Sequence, residues 1–539
     1  MSNDKTTTTT PRLIPSTRFT LALLVSFALF IQYAQRISIS MSIVCMVDRN
    51  NYDTLSNLTS YPDETDDQTS TVPTKYGSQL LKDKKFAWSE LQQQILLGSY
   101  WFGYIFTLVP SNAKKINLIC IVFYTISFRF FFQTGGWLAI KFGPKLVFAA
   151  SLLFSSIAAV GISSIYFIND FNFYVALFFR VIIGFAHGPL FPTTYTFWSV
   201  WAVPAEKSTL TSIGFCSGSL GISVMMLTGG LLCRYVSSGW VYIFLLSALF
   251  GFIWLPLWLW LVADSPQTHR TISENERNYI CEKLGLVASD KKKKTFSLSS
   301  LPWMKFIKSK PIIALLITEC CNLFGLFFVY TNVGKILTEI HRVPPQYAGY
   351  ILAGGFILMP ISSLSAGVIA DFLSKTNKMS LTNIRKLFNS LTSFIPAICM
   401  VILCFCDHTR QIFGIITVII LLIASALAYG SGYIVNFGDV IPAYSSIIFG
   451  IITAIATFTA LFANVIAGVV IKRPVLEDWR KIFILFSIVY FIGGLAYIVL
   501  GSAVPRKWAT LKSQEEQKVN DTISEEETVL MRELELGKK

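Results

Sequence analysis

Charge is scarce in this chain. Of its 539 residues, 14% are Asp, Glu, Lys or Arg, and histidine occurs four times. So little charge excludes an ordinary soluble globular protein. There is no nucleophile elbow, no phosphate-binding loop and no spacing of Cys and His that would hold zinc, so an enzyme reading has no support and no metal is expected. The ten cysteines lie mostly within or beside apolar runs, and the long segment 48–87 has none. A disulfide framework is therefore not expected. No small-residue cleavage site follows the first apolar run, which reads as a retained span and not a signal peptide. Acid is scarcer than base, 31 residues against 45, for a formal charge of +14. This excess does not imply nucleic acid. Much of it lies in short connections, where it orients a membrane chain and meets anionic lipid.

Apolar sequence is abundant: 53% of residues, with a mean hydropathy of +0.57. Runs of about 18 residues or more recur, each able to cross about 30 Å of hydrocarbon. After a polar tail, 1–18, six spans are expected between 19 and 263. The first covers 19–47, the second opens at Trp88, and the others cover 146–168, 172–198, 207–232 and 239–263. A basic linker, 264–310, carries ten Lys and Arg and divides the chain. Six more spans follow within 311–503, near 311–338, 346–370, 386–405, 411–436, 443–471 and 481–503, and then a charged tail, 504–539. Lys141, Lys145, Lys375, Lys378, Arg385 and Lys386 fall on the side of the N-terminus, which reads as cytosolic. Lys472, Arg473, Arg480 and Lys481 oppose that assignment from the other side. The acid-rich loop 48–87 contains the sequon Asn57-Leu58-Thr59, which fits a glycosylated lumenal or extracellular face.

The chain is organised around Arg180–Pro204, where an arginine stands inside an apolar run ahead of Gly184, Gly188 and Pro192. A cation at membrane depth costs roughly 2.5 kcal/mol or more on insertion scales and persists mainly where it faces a cavity or a partner. Arg180 is therefore placed to meet an anion, the alternative being an arginine that snorkels to the interface. Gly184 and Gly188 share a helical face and let a neighbouring helix approach. Arg36 is a second buried cation, with ten apolar-rich residues beyond it. Glu319 is an acidic residue in an apolar run of the second half; it offsets an arginine, binds a cation or bonds within its helix. A turn at Gly136–Lys145, with Gly143 and Lys145, matches Gly367–Asp371 at the same point of the second half. Such recurrence marks an internal repeat whose charged connection latches one conformation.

These features resemble the major facilitator superfamily and, within it, solute carrier family 17, the anion transporters that include sialin, the vesicular glutamate transporters and the type I sodium–phosphate cotransporters. The resemblance is carried by Tyr33–Ser38, Gly98–Tyr104, Gly135–Ala139, Trp198–Pro204 with Glu206-Lys207-Ser208, Asp264-Ser265-Pro266 with Thr271–Glu274, Thr382–Leu387, Asn436, Asp439 and Pro442. It implies twelve helices in two bundles, an all-α membrane fold, alternating access and a central anion site. It also implies that Arg36 and Arg180 are the arginines of the first and fourth helices.

This chain departs from the family pattern. The fourth-helix glutamate of the family is His187 here, and a further acidic position of sialin-like members is Ile183. Family histidines fall on Tyr195 and Phe437, and the acid of the first loop motif is Ile140. The seventh-helix arginine of the vesicular glutamate transporters is Asn322. This points away from glutamate and towards a sialin-like or phosphate-transporter-like member. His187 either takes over the titrating role, its reference pKa of about 6.5 suiting an acidic compartment, or is a packed polar residue.

Val109–Gln133 interrupts the second helix with Lys114, Lys115 and Arg129. A thirteenth crossing would invert everything after it. The segment is read as an interfacial excursion, a disrupted helix, or a retained intron: valine codons begin with GT, the phenylalanines before Gln133 can encode a pyrimidine tract ending in CAG, and 25 residues keep the frame.

The expected function is secondary active transport of a small organic or inorganic anion, coupled to H+ or Na+ or to voltage. A phosphate/sodium symporter and a non-transporting sensor or degenerate member are the alternatives. Arg36 and Arg180 bind the anion, Tyr100, Tyr104 and Asn322 line the cavity with Tyr33 nearby, and His187 and Glu319 are coupling candidates. The expected partners are the anion and the lipid bilayer; the protein is expected to act as a monomer and to need no cofactor. A loose acidic dileucine pattern at Glu526–Met531 leaves lysosome, vesicle and plasma membrane open.

Overall fold

The computed structural model describes residues 16–48, 83–108, 138, 141–203, 206–284, 303–376 and 378–509. Among these there is no sheet, only one bridging pair, Val47 with Phe86. Eleven helices are long and apolar enough to cross a membrane. The first half contains α1 (Thr17–Met46), α2 (Glu90–Leu108), α3 (Pro144–Ser164), α4 (Asn172–His187), α5 (Leu190–Trp201), α6 (Lys207–Tyr235) and α7 (Gly239–Leu261). Two short helices, α8 (Glu274–Lys283) and α9 (Trp303–Ile307), belong to the central connection. The second half contains α10 (Lys310–Lys335), α11 (Pro345–Lys375), α12 (Leu381–Leu403), α13 (Gln411–Ser431), α14 (Tyr433–Val440), α15 (Ser445–Val470) and α16 (Leu476–Leu500).

α4 with α5 and α13 with α14 are single crossings in two pieces. α2, with its glutamines and serine, is not among the eleven. Its 19 residues still reach about 28 Å, close to the hydrocarbon thickness. Alternate crossings define a tail side, where α1 begins, and a loop side, where it ends.

The helices form two bundles. α1 packs on α6 and α7, α3 on α4 and α7, and α2 on α4. In the second half α10 packs on α15 and α16, and α12 on α13 and α16. The bundles meet along α6–α11, α2–α15 and α1–α10. Small residues allow this close approach. A side chain on Gly230 would strike the Pro345 carbonyl, and one on Gly334 the Ser40 carbonyl.

Two expectations about the helices need correction. The fourth span is not one helix: it breaks at Gly188-Pro189, where proline supplies no N–H to continue the ladder. Gly184 does bring helices together, as its missing Cβ leaves room for the Tyr100 carbonyl of α2. Gly367 and Asp371 do not form a turn; they lie inside α11, which continues to Lys375 because no breaker intervenes. Among the described residues of the first-half motif, Gly143 sits in a tight connection, at φ +84° against the Asp264 carboxylate, which accepts from the Lys145 N–H at 2.8 Å. Gly136 lies outside the described residues.

The central linker is partly folded. Ser273 caps α8, and Glu276 of α8 accepts from the Arg18 guanidinium and from the N–H groups of Thr17 and Arg18. Arg18 also pairs with Glu206. Burial alone would raise the Glu276 carboxyl, but the bonds from Arg18 and Thr17 outweigh it and hold it below the usual carboxylate range.

Finally, Cys45 and Cys233 form a disulfide between the loop-side ends of α1 and α6. The expectation of no framework counted loop cysteines, whereas this pair comes from two helix ends. Asn57, the tail pattern and segment 109–133 lie outside the described residues. The ends flanking that segment, Leu108 and Lys141, are both on the tail side.

Candidate functional site

α1 and α4 bring the two expected arginines to the same region of the first bundle. Arg36 stands in an aromatic box: its guanidinium carbon is 4.1 Å from the Trp101 ring centre, 4.8 Å from Phe327, 5.3 Å from Tyr33 and 5.8 Å from Tyr100. Phe327 comes from α10, so both bundles build the box. Its ring stacks on Trp101 with centroids 3.7 Å apart. Cation–π contacts hold a guanidinium without cancelling its charge. One terminal nitrogen of Arg36 is buried without a hydrogen-bond partner.

Arg180 is 1% exposed. It donates to the carbonyls of Gln35 at 3.1 Å and Arg36 at 2.5 Å, which locks α4 to α1, and its Nε is left over. The Tyr100 ring lies 5.4 Å from its guanidinium carbon, so this ring faces both cations. Tyr104 stacks next to Tyr100 with centroids 5.7 Å apart. Neither arginine has an acidic partner among the described residues.

His187 belongs to a defined chain of hydrogen bonds. Gln35 Nε2 faces the Ser247 carbonyl at 3.2 Å and Ser156 Oγ at 3.0 Å, so it is the amide end. Gln35 Oε1 therefore accepts from His187 Nε2–H at 3.1 Å. The other ring nitrogen, Nδ1, then accepts from the Tyr100 hydroxyl at 3.3 Å. This assignment follows from the network and is the arrangement of a neutral imidazole.

Asn322 is not brought to the arginines. Its amide donates to the Thr318 carbonyl at 2.9 Å and to Ser393 of α12 at 3.3 Å, inside the second bundle. Glu319, one turn away, accepts from Thr453 of α15 at 2.6 Å. It offsets neither arginine by an ion pair.

Sequence reasoning missed the loop-side closure. Lys335 of α10, fully buried, donates to Glu90 of α2 at 2.5 and 2.7 Å and to Gln93 at 2.7 Å, with Glu339 at 3.7 Å. Beside it Gln94 donates to Asn332 at 2.6 Å, and Asn332 and Thr331 both donate to Asn464 of α15 at 2.9 Å. The usable signal was a lysine at the end of one span facing a polar start, Glu90–Gln94, of another. Hydrogen bonds and ion pairs that join the bundles between described residues all lie in the loop-side half.

Tyr195 and Tyr429 are 48% and 50% exposed. Their electrostatic neighbours are nevertheless interior groups, Tyr33 for Tyr195 and Tyr33, Arg36 and Glu319 for Tyr429. Each tyrosine therefore combines exposed surface with neighbours in the interior.

Two helical bundles closed at one end around buried cations define a membrane transporter that works by alternating access. The profile of the Major Facilitator Superfamily matches residues 113–438, and the chain belongs to that family. It is similar to sialin of Ovis aries, 28% identical over 92% of this chain and 91% of that protein. It is also similar to vesicular glutamate transporter 3 of Danio rerio, 28% identical over 82% of this chain and 69% of that protein.

Among solved structures it shares the fold of a bacterial homologue of the human lysosomal transporter Spinster, inward-facing and unoccupied. The TM-score is 0.59 at 12% identity, covering 90% of this chain and 97% of that one. The xylose transporter XylE of E. coli in its inward-open conformation gives 0.57 at 14% identity, covering 93% and 99%. The protein is thus a multi-pass membrane protein and not an enzyme.

Proposed function

We propose that the protein is a secondary active transporter of a small organic or inorganic anion, bound at Arg36 and Arg180 and driven by a proton or sodium gradient or by voltage. One observation carries this reading: two cations at membrane depth, one of them in a box built by both bundles, with no acidic partner among the described residues. A cation in hydrocarbon costs roughly 2.5–3.5 kcal/mol on insertion scales, and a bound anion offsets it. Arg36 presents the free nitrogen and is the primary contact. Arg180 holds α1 in place and adds field through its Nε. Tyr33, Tyr100 and Trp101 shape the pocket. Alternation then exchanges the loop-side closure around Lys335 for one on the tail side.

The relatives support an anionic cargo, glutamate being named for one of them. Asn322 lies apart from the arginines and leaves the choice between glutamate and a sialin-like or phosphate-like cargo to experiment. The Cys45–Cys233 disulfide suits an oxidising space on the loop side, hence a cytosolic tail side. This is consistent with a lysosomal or vesicular membrane, as with the plasma membrane. The test is uptake into proteoliposomes of sialic acid, glutamate, urate and phosphate under imposed proton, sodium and voltage gradients. Concentrative uptake of one anion that is lost in Arg36→Gln supports the reading; the absence of uptake in folded protein overturns it.

A further inference from the structure

Glu319 lies in the middle third of α10, and only 2% of its surface is exposed. One carboxyl oxygen accepts from Thr453; the other, Oε2, is buried without a hydrogen-bond partner. Among the described residues no lysine, arginine or histidine pairs with it. Thr453 from α15 bonds to it, and Cys320 on its own helix, Tyr429 from α13 and Tyr433 from α14 lie within electrostatic reach. None of these carries a positive charge. Among the described residues, Arg36 shares the neighbour Tyr429 with it. Tyr429 is half-exposed, so one of the neighbours of the carboxyl has surface outside the packed interior.

An ionised carboxylate with one hydrogen bond and no counter-charge is not stable in such a setting, whereas a carboxylic acid is. A carboxyl that never ionised would be no better than a glutamine. A carboxyl that faces water in one state of the cycle and apolar helices in another is a proton carrier. His187 does not fill this role in the described conformation, because both of its ring nitrogens are already bonded as a neutral imidazole.

We propose that Glu319 binds the proton that drives the transporter, so that coupling resides in the second bundle while the anion is bound mainly by the first. This rests on the transport reading above. The step is a simple protonation: Oε2 takes H+ from water that reaches it in one state of the cycle, the carboxylate becomes a neutral acid, and Thr453 keeps its bond to Oε1. The same O–H bond breaks when the carboxyl meets water on the other side. Linkage follows from charge. An ionised Glu319 and a bound anion are like charges in a low-dielectric interior, so protonating Glu319 strengthens anion binding, and anion binding draws in a proton by the same factor. The device is therefore a proton–anion symporter.

The test compares wild type with Glu319→Gln in proteoliposomes by two assays, anion exchange without a gradient and accumulation under a proton gradient. Sialic acid, glutamate, urate and phosphate serve as probes. The expected result is at least a tenfold fall in the ratio of accumulation to exchange, with loss of pH-dependent exchange. Equal ratios in both proteins, or accumulation by wild type that follows sodium and ignores the proton gradient, overturn the proposal. Absence of exchange in wild type would instead count against the transport reading.

If the variant exchanges nothing, infrared difference spectra decide. A protonated-carboxyl band in wild type, absent from Glu319→Gln and stronger when anion is added, supports the proposal. Its absence from wild type overturns it.

Discussion

The two bundles treat buried charge in opposite ways. The first holds Arg36 and Arg180 with no acid beside them among the described residues, and surrounds them with aromatic faces and backbone carbonyls. The second holds Glu319 with one hydroxyl donor and, among the described residues, no base beside it. Had the two signs been paired, the charges would have cancelled and the site would be structural. Kept apart, the arginines are free for an anion from outside and the carboxyl for a proton. The loop-side closure shows the contrast: there Lys335 and Glu90 are joined directly, and their work is to hold the bundles together.

The largest effect is expected at the arginine box. Arg36→Gln should lower anion transport by more than a hundredfold with normal membrane insertion, since the free nitrogen and the charge are both lost. Arg36→Lys should recover little, because a lysine cannot fill a flat aromatic box as a guanidinium does. Arg180→Ala should also abolish transport with expression intact, partly by freeing α1 from α4. A full recovery by Arg36→Lys would mean that only net charge matters.

A second prediction concerns the joined pair. Breaking it leaves the buried Lys335 with Glu339, at 3.7 Å, as its remaining acidic partner among the described residues, at a penalty of up to roughly 3–5 kcal/mol. Glu90→Gln should therefore favour the loop-side-open state and raise labelling of a cysteine placed at Asn332 by about tenfold or more. Unchanged labelling would show that the closure rests on packing at Gly230 and Gly334 instead.

Glu276 gives a pH test on the tail side. Its carboxyl is held below the ordinary range by Arg18 and Thr17 against the effect of burial. Its contribution is therefore present above the unfolded carboxylate value of about 4.3 and is lost as pH falls through the folded value. Glu276→Gln should lower thermal stability at neutral pH by several degrees and narrow the difference from wild type in acid. A difference that grows in acid would contradict the clamp.

The smallest effect is expected at His187. A neutral imidazole bonded at both nitrogens holds helices together and does not need to titrate. His187→Gln should leave the pH dependence of transport within about threefold of wild type, whereas Glu319→Gln should remove it. A flattened profile in the histidine variant would move coupling to the first bundle. For the disulfide, maleimide should label neither Cys45 nor Cys233 before reduction; labelling of either removes that bond from the account.

Much of the architecture was legible in the sequence. Apolar runs of membrane length, interrupted by a basic linker, placed every described crossing within a few residues, since hydropathy over a span is a strong signal. Arg36 and Arg180 were legible for the same reason: a cation stands out in an apolar run. Partners in space were not. The aromatic box needs Phe327 from the other bundle, one of 44 phenylalanines with nothing to distinguish it. Lys335 lies near a span end, where a lysine ordinarily snorkels, and only the structure shows Glu90 opposite. Asn322 was assigned to the cavity by helical placement alone, and a rotation of the helix puts it against Ser393. Segment 109–133 remains a question of the transcript: sequencing the mature message should show those codons absent from its dominant form, and their presence would overturn the retained-intron reading.

The central claim is that uncompensated arginines bind a transported anion. It is tested most directly by uptake into proteoliposomes of the full chain, wild type beside Arg36→Gln, across sialic acid, glutamate, urate and phosphate. The account predicts saturable uptake of at least one anion by wild type and none by the variant. Equal uptake by both would contradict it.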